Sequence, residues 1–293
     1  MNVLSSKQLI VALIFLSIYC VTASAQNNDS EYVTIAILAK DKAHTLPAYL
    51  TCIERQTWPA DKTYLYIRTN NNNDETAHIL REWIARVGMN YAKIYFDDSN
   101  VTEAVEQFKQ HEWNYTRFKV LGKIRQDSVD WALRNNSHYF VVDCDNFILP
   151  DTIESLFNTQ QPIVAPLLRC NANSFGSEYQ NSFYSNYHFA IDANGYYAES
   201  SFYYSILDQE IKGLIEVPVV HCAYFIRKEV LDKICYDDES WRYEYIIFSD
   251  SARKHHIPQY IDNRKIYGYI TFAETREQFE QEVLLHTNLS LDE

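Results

Sequence analysis

The sequence has little of what nucleic acid binding requires. Its longest basic run is Arg-Lys-His-His at residues 253–256, and 26 Lys and Arg stand against 39 Asp and Glu in 293 residues. The formal net charge of −13 repels nucleic acid phosphates, so we expect no nucleic acid partner. Hydrophobic residues still make up 47% of the chain, which is enough for a sizeable core.

Cysteine is also sparse, and its spacing excludes a disulfide-dense scaffold or a zinc ribbon. Of the six cysteines, Cys20 lies in an apolar N-terminal segment. An odd number remains, which permits at most two disulfides, and we expect most of these side chains to be buried. The five are Cys52, Cys144, Cys170, Cys222 and Cys235.

A long apolar run occurs only at the N-terminus. Lys7 precedes it, residues 9–21 form its core, and residues 23–25 are Ala-Ser-Ala. This pattern predicts a secretory signal peptide that is cleaved after Ala25, followed by a polar leader at residues 26–31. The alternative is an uncleaved anchor, but the run is short for a bilayer span.

The signal predicts a protein of the secretory pathway, either in the lumen of the endoplasmic reticulum or secreted. No second apolar run of this kind follows, so we expect no stable membrane span after cleavage. Five acceptor sequons for N-linked glycans fit a secretory protein. They occur at Asn28, Asn100, Asn114, Asn135 and Asn288.

Strand and helix patterns alternate after the leader. Continuous β-rich apolar runs at residues 32–39, 62–69 and 92–98 are typical of strands buried on both faces. Helical spacing separates them, at residues 44–56 and in a segment that ends near Gly88. This order predicts an α/β fold with a mostly parallel central sheet flanked by helices.

The same alternation continues to the C-terminus. We predict a helix at residues 117–135, followed by a buried strand whose last four residues are 139–142. Asp151 and Glu154 have the spacing of a capping box for a short helix. Because no internal repeat and no linker interrupts the pattern, we predict a single domain over residues 32–293.

Two aspartates end the strand at residues 139–142. Asp143 and Asp145 point to the same side if the strand stays extended. Two carboxylates on one side form half of a site for a hard cation such as Mn²⁺ or Mg²⁺, which takes phosphate oxygens as further ligands. Asp-x-Asp is common without a metal, but the end of a buried strand favours the metal interpretation and a nucleotide-sugar diphosphate as its partner.

Other polar residues are expected at the same edge of the sheet. Ligands of parallel sheets bind beyond the carboxyl ends of the strands. Lys40, Thr69 and Asn70 follow two other predicted strands, and Cys144 lies between the aspartates; we assign all four to a nucleotide-sugar site. On the helix before the aspartates, Lys123 and Arg125 are candidates to meet the diphosphate, with a solvated helix face as the alternative.

Eight segments in the same order resemble the glycosyltransferase family 25 type of GT-A domain, best known from the procollagen galactosyltransferases. The resemblance runs from about residue 32 to residue 285 and covers nearly the whole mature chain. The segments are VTIAILAKDKAHTLPAYLTCIERQ, NNNDETAHILREW, GKIRQDSVDWA, FVVDCDNFIL, IVAPLL, NGYY, VPVVHCAYFIRK and YEYIIF...YIDN...YGY.

The resemblance implies a fold that binds a nucleotide sugar. It also implies an enzyme that transfers galactose from UDP-galactose to hydroxylysine in collagen. It implies that Asp143 and Asp145 hold Mn²⁺, that Lys123 and Arg125 lie near the donor, and that Asn70 occupies a loop position where the family has an acid. Family members carry two such domains, and this chain resembles the N-terminal half. Where the family has Phe-Asp-Asp, this chain has Tyr-Glu-Tyr at residues 243–245.

Inverting transfer needs a general base for the acceptor hydroxyl, and we assign this role to Glu244. Asp237 and Asp238 are rivals, and a solvated helix carboxylate is the alternative for Glu244. A third metal ligand is often a late histidine in this fold, and His221 is our candidate, with His286 or a purely structural histidine as alternatives.

Aromatic residues near these positions are possible stacking walls for a sugar or a peptide, although core packing is the more common role. They are Trp241, Tyr196 and Tyr197. Two rival functions use the same residues. One is a non-catalytic secreted binding or adhesion module. The other is a glycoside hydrolase with paired carboxylates, but a hydrolase needs no cations to bind a diphosphate.

Overall fold

The computed structural model describes residues 31–103, 105–108, 112, 114–170 and 183–285. The predicted signal peptide, most of the polar leader, His286 and two sequons, Asn28 and Asn288, lie outside the described residues. Among the helices that are described, none has the length and apolar run needed to cross a bilayer.

The bounds of the regular elements follow the apolar runs closely. In chain order the strands are β1 (Val33–Ala39), β2 (Thr63–Thr69), β3 (Lys93–Asp97), β4 (His138–Val142), β5 (Asn146–Ile148), β6 (Ile163–Pro166), β7 (Leu168–Cys170), β8 (Tyr187–His188), β9 (Ala190–Ile191), β10 (Tyr197–Ala198), β11 (Leu214–Val217), β12 (Val219–Val220), β13 (Ala223–Ile226), β14 (Gln259–Asp262) and β15 (Gly268–Ile270). The α-helices are α1 (Leu46–Glu54), α2 (Thr76–Val87), α3 (Tyr115–Arg134), α4 (Thr152–Asn158), α5 (Ser201–Leu207), α6 (Glu244–Lys254) and α7 (Arg276–Leu285).

The central sheet of the described chain has eight strands in the order β11-β14-β6-β13-β4-β1-β2-β3. The four strands from β4 to β3 are parallel to one another. On the other side of β4, β13 runs antiparallel between β4 and β6, while β14 is parallel to β6 and antiparallel to β11. The predicted α/β fold with a mostly parallel sheet is therefore confirmed, and a three-stranded sheet, β5-β15-β7, lies apart from it.

Strand β4 is buried on both faces, as its continuous apolar sequence predicts. Phe140 and Val142 belong to one hydrophobic cluster, and Tyr139 and Val141 belong to a second cluster. Successive side chains of a strand point to opposite faces, so the strand has core on both sides. The aspartates that follow β4 are consequently carried by a strand that is buried along its whole length.

The predicted capping box of α4 does not form. Asp151 makes no side-chain cap bond; its carboxylate instead accepts from Ser155 and pairs with Lys265. Glu154 accepts from Thr57, on the loop after α1, at 2.7 Å. Partners that are distant in the sequence have replaced the local cap, which sequence spacing alone does not reveal.

The strand structure before His221 is interrupted. Pro218 separates β11 from β12, and His221 lies in the connection between β12 and β13. Proline has no N–H to donate to a neighbouring strand, so a ladder commonly stops at it. His221 is thereby placed close to the sheet edge by a turn and not by the end of a strand.

Candidate functional site

Two adjoining cavities lie at the carboxyl ends of β1 and β4. The first has a volume of about 300 Å³ and the second about 210 Å³. Polar residues that line only the first cavity are Lys40, Lys42, Asn70, Arg117, Cys144 and Asp145. Residues that line only the second include Phe118, His221, Tyr224, Tyr243, Glu244 and Tyr245. Both are lined by Leu121, Arg125, Asp143, Tyr184 and Cys222.

The Asp-x-Asp segment is fixed by backbone hydrogen bonds where β4 ends. The N–H of Asp143 donates to the carbonyl of Cys222 at 2.9 Å, and the N–H of Thr271 donates to the carbonyl of Asp145 at 2.9 Å. Cys222 has a left-handed backbone with φ +61°, which is uncommon for a residue other than glycine. Such conformations persist where the surrounding structure holds them, and they cluster at functional sites.

Each aspartate has a cationic partner. Arg125 Nη2 donates to Asp143 Oδ1 at 2.7 Å, and Lys42 Nζ donates to Asp145 Oδ2 at 2.8 Å. Burial raises the pKa of the Asp143 carboxyl even though Arg125 acts in the opposite direction. Burial by itself would lower the pKa of Lys42, but the neighbouring Asp145 carboxylate outweighs it and raises that pKa. The two pairs keep both carboxylates close together without leaving the like charges uncompensated.

The oxygen atoms at this position suit a hard divalent cation. Asp143 and Asp145 each keep one carboxylate oxygen that no hydrogen bond within the described chain engages. Asn70 is 5% exposed, and its Oδ1 has no hydrogen-bond partner among the described residues. Oxygen ligands of this kind match Mg²⁺ or Mn²⁺, which also take ligands from water and phosphate. In the part of the chain that is described, no cluster of three or more His, Cys, Asp or Glu side chains is arranged to hold a metal ion.

Arg125 lies where the two cavities meet. The residue is 4% exposed, and besides its bond to Asp143 it forms an ion pair with Glu244, with Nε 3.3 Å from Oε1. Its Nη1 has no hydrogen-bond partner in the described part of the chain, whereas Nε faces the Glu244 carboxylate without the alignment of a hydrogen bond. Leaving a buried donor unpaired costs about 1–3 kcal/mol, so the buried Nη1 of a residue that lines two cavities points to a ligand with oxygen atoms.

The second cavity combines aromatic walls with a buried carboxylate. Tyr243 packs against Phe118 with their ring centroids 4.1 Å apart, and Tyr245 forms a further wall. Glu244 is the first residue of α6, is 5% exposed, and has its pKa raised by burial. A carboxylate with a raised pKa at the wall of a cavity can take a proton from a bound hydroxyl group.

His221 does not join both aspartates in one cavity. It lines the second cavity, which Asp145 does not line. Its Nδ1 lies 3.0 Å from Cys222 Sγ, and burial lowers its pKa well below the usual value, so the ring is neutral at pH 7. Neutral imidazole is the form that binds metals, but a metal role for His221 stays a prediction.

Of the residues assigned to the nucleotide sugar, some reach the first cavity and others do not. Lys40, Asn70 and Cys144 line it. Lys123 is exposed and lines neither cavity, because a residue two positions from Arg125 points about 200° away around a helix. Thr69 is fully buried; its Oγ1 accepts a hydrogen bond from Asn72 Nδ2 at 2.6 Å, so it fixes the loop instead of facing the cavity.

The rivals for the base and the expected stacking walls lie outside both cavities. Asp237 pairs with Lys119 at 2.5 Å, and Asp238 pairs with Arg242 at 2.8 Å. Trp241 is 72% exposed on the surface. Tyr196 lies behind the wall of the second cavity, 5.2 Å from the Tyr243 ring, and Tyr197 is exposed beside His188.

Several residues of the site have no place in the sequence-based assignment, among them Lys42, Tyr184 and Cys222. Lys42 follows the same strand as Lys40, and the left-handed backbone of Asp41, φ +53°, redirects the chain between them. Asp and Asn tolerate this conformation better than most residues, so Asp41 was a weak signal for a turn. Tyr184 and Cys222 come from connections whose paths no local pattern specifies.

Comparison with known proteins identifies a protein family and a fold to which this chain is similar. The model of "Glycosyltransferase family 25, N-terminal domain" matches residues 30–288. Procollagen galactosyltransferase 1 of Danio rerio is 32% identical over 88% of this chain and 43% of its own length. The inactive glycosyltransferase 25 family member 3 of Mus musculus is 27% identical over 89% of this chain and 44% of its own length. This chain therefore spans less than half the length of these curated relatives.

Among solved structures, TarS of S. aureus in complex with UDP-GlcNAc is similar to this chain. It superposes with a TM-score of 0.53 at 12% identity, covering 85% of this chain and 60% of TarS. At this identity the likeness concerns the fold, which is of the GT-A type.

Proposed function

The chain belongs to glycosyltransferase family 25, and from that premise we propose that it is a metal-dependent transferase that moves a hexose from a UDP-sugar to a hydroxyl group of a protein. The curated relatives named above suggest galactose as the sugar and a collagen-like polypeptide, through its hydroxylysine, as the acceptor. We also propose that the chain works in the secretory pathway, in the lumen of the endoplasmic reticulum or after secretion.

The observation that carries this proposal is the pair of cavities that share Asp143 and Arg125. A transferase must hold two substrates side by side with the reacting atoms at their boundary. A cavity of about 300 Å³ with cationic side chains suits an anionic donor, and the smaller aromatic cavity suits part of an acceptor. The cationic walls of the first cavity, with Lys40, Lys42 and Arg117, favour an anionic donor over the neutral sugar that a glycoside hydrolase binds.

The first cavity is proposed to bind the donor. Asp143 and Asp145 would hold the divalent ion, with the carboxamide oxygen of Asn70 nearby and His221 as the candidate third ligand. When bound, such an ion neutralises negative charge on a leaving diphosphate. Lys42 keeps Asp145 oriented through its 2.8 Å bond, and Lys40 and Arg117 contribute positive charge to the same walls.

Glu244 is proposed as the general base of an inverting reaction. It lines the second cavity, lies in the first turn of α6 and has a pKa raised by burial. A raised pKa makes the ionised carboxylate a stronger proton acceptor, while the ion pair with Arg125 favours the ionised form. Arg125 would also hold Glu244 in place as the acceptor hydroxyl attacks.

Arg125 is further proposed to contact the transferred hexose and not only the diphosphate. Its side chain lines both cavities, at the boundary that the transferred group must pass, and its Nη1 has no hydrogen-bond partner among the described residues. We expect Arg125→Lys to keep the charge beside Asp143 but to lose the guanidinium fork. UDP should then bind almost as in the wild type, whereas the dissociation constant for UDP-galactose should rise about tenfold, which corresponds to roughly 1.4 kcal/mol.

Isothermal titration with UDP and UDP-galactose measures both constants. Arg117→Lys is the matched control, because Arg117 lines only the first cavity and its substitution should affect both ligands alike. If Arg125→Lys weakens UDP and UDP-galactose equally, Arg125 serves the diphosphate and the assignment to the hexose is wrong.

A non-catalytic binding module is the second candidate function. It is favoured by Tyr245, which stands where the family has a second acid, and by the relative whose name calls it inactive. Turnover of UDP-galactose by the purified chain, with and without Mn²⁺, separates the two candidates. The transferase requires metal-dependent release of UDP that an acceptor peptide accelerates; UDP-galactose binding without turnover would establish the module.

A further inference from the structure

Three N-x-Ser/Thr sequons lie within the described residues, and their surroundings differ sharply. They begin at Asn100, Asn114 and Asn135. A glycan is attached to the side-chain nitrogen Nδ2 of asparagine and is bulky and hydrated. A sequon is therefore compatible with a glycan in the folded protein only where Nδ2 is unengaged and faces solvent.

Asn135 does not meet this condition. Its Nδ2 donates to the carbonyl of Trp131 at 2.7 Å, and its Oδ1 accepts from Lys93 Nζ at 2.5 Å. The sequon serine, Ser137, is fully buried and its hydroxyl lies 2.6 Å from that of Thr34. A glycan on Asn135 would disrupt the C-terminal end of α3.

Asn114 is constrained by the start of the same helix. It is half-buried and is the N-cap of α3, where its Oδ1 accepts from the N–H of Arg117 at 3.1 Å. The sequon threonine, Thr116, is half-buried in the first helical turn. Asn114 and its sequon threonine are thus less exposed than Asn100 and Thr102.

Asn100 has a different environment. It lies in the exposed loop after β3, and Thr102 of its sequon is exposed as well. Asn100 Oδ1 accepts from the N–H of Asn71 at 2.8 Å, and Asn71 Oδ1 accepts from the N–H of Val101 at 2.9 Å. These two bonds form a clasp between the loops after β2 and β3.

The clasp fixes which end of the Asn100 amide faces solvent. Because Oδ1 must face the N–H group of Asn71, Nδ2 lies on the other side of the amide, where it makes no hydrogen bond with any described residue. An N-linked glycan replaces one hydrogen of Nδ2 and leaves Oδ1 able to accept. The clasp therefore survives glycosylation.

We propose that Asn100 carries an N-linked oligosaccharide beside the mouth of the first cavity. The clasp residue Asn71 adjoins Asn70, which lines that cavity. In the transfer, the bond between sugar C1 and the diphosphate of a lipid-linked oligosaccharide breaks and a bond from C1 to Nδ2 forms. The lipid diphosphate leaves, and the amide loses one proton. The proposal rests on the proposed export of the chain, but not on its transferase activity.

The test is expression of the full chain in a eukaryotic secretory system, followed by peptide mass analysis before and after removal of N-glycans. We expect the peptide containing Asn100 to be glycosylated. Thr102→Ala should remove one glycan without touching Asn100, and Asn100→Asp should do the same while keeping an oxygen acceptor for Asn71. Asn135→Asp is the control and should not change the number of glycans.

Two results would overturn the proposal. One is an exported chain whose Asn100 is unmodified and whose mobility Thr102→Ala does not change. The other is a full chain that stays in the cytosol, which would contradict the export assignment as well. A glycan at Asn100 in a chain that neither binds nor turns over UDP-galactose would leave this proposal standing and reject the transferase.

Discussion

Asp145→Asn is expected to lower kcat/KM for metal-dependent transfer from UDP-galactose by about 100-fold or more, the usual scale for losing a group that stabilises developing charge. The amide is nearly the same size as the carboxylate, so packing should be preserved. The change removes one of two negative charges from the first cavity and leaves Lys42, at 2.8 Å, with at most a neutral oxygen acceptor in place of a carboxylate. Both effects weaken the binding of a divalent ion.

We expect a loss of transferase activity that a higher concentration of metal ion partly reverses. We expect Asp145→Asn to need a higher Mn²⁺ concentration for half-maximal activity and to lose the thermal stabilisation that UDP and Mn²⁺ together give the wild type. Asp98→Asn is the matched control, because Asp98 follows β3 at the same edge of the sheet but pairs with Arg81 and lines neither cavity. Equal activity of the Asp145 and Asp98 variants would remove Asp145 from the donor site.

Glu244→Gln is expected to reduce kcat by about 100-fold to 10,000-fold, the range for loss of a general base. UDP-galactose binding should change little, since Glu244 lines only the second cavity. The glutamine keeps the shape of the side chain, and Arg125 keeps its bond to Asp143. The fall should therefore appear in kcat and not in donor affinity.

The pH profile distinguishes a base from a residue that only shapes the cavity. Burial raises the pKa of Glu244, and a base works only when ionised, so wild-type kcat/KM should rise with pH as Glu244 loses its proton. That rising limb should be absent from the residual activity of Glu244→Gln. Asp237→Asn is the control, because Asp237 lies outside both cavities and is bound to Lys119. An unchanged pH profile in the glutamine variant would assign the base elsewhere.

Strand and helix assignments were predictable where the pattern was long and uninterrupted. The strand that ends at Val142 is continuous, apolar and buried on both faces, so its sequence specified both its type and its end. The position of Asp143 at the sheet edge follows directly from that end. Local patterns failed where distant partners intervened, as when Lys265 paired with the carboxylate expected to cap α4.

The composition of the site was only partly predictable, for geometric reasons. Lys123 and Arg125 are two positions apart in one helix, so their side chains point to different sides of it. A left-handed residue, Asp41, brings Lys42 to Asp145, and another, Cys222, lies at the boundary of both cavities. Such single-residue turns leave little trace in hydrophobic periodicity, which is the main signal that sequence offers.

A crystal structure of the chain with UDP-galactose and Mn²⁺ tests the central claim most directly. The account predicts the nucleotide in the first cavity, the metal in contact with Asp143, Asp145 and the diphosphate, and the hexose beside Arg125. Two results would contradict it. One is a first cavity that stays empty at saturating ligand, and the other is a bound nucleotide whose diphosphate contacts no metal ion held by Asp143 or Asp145.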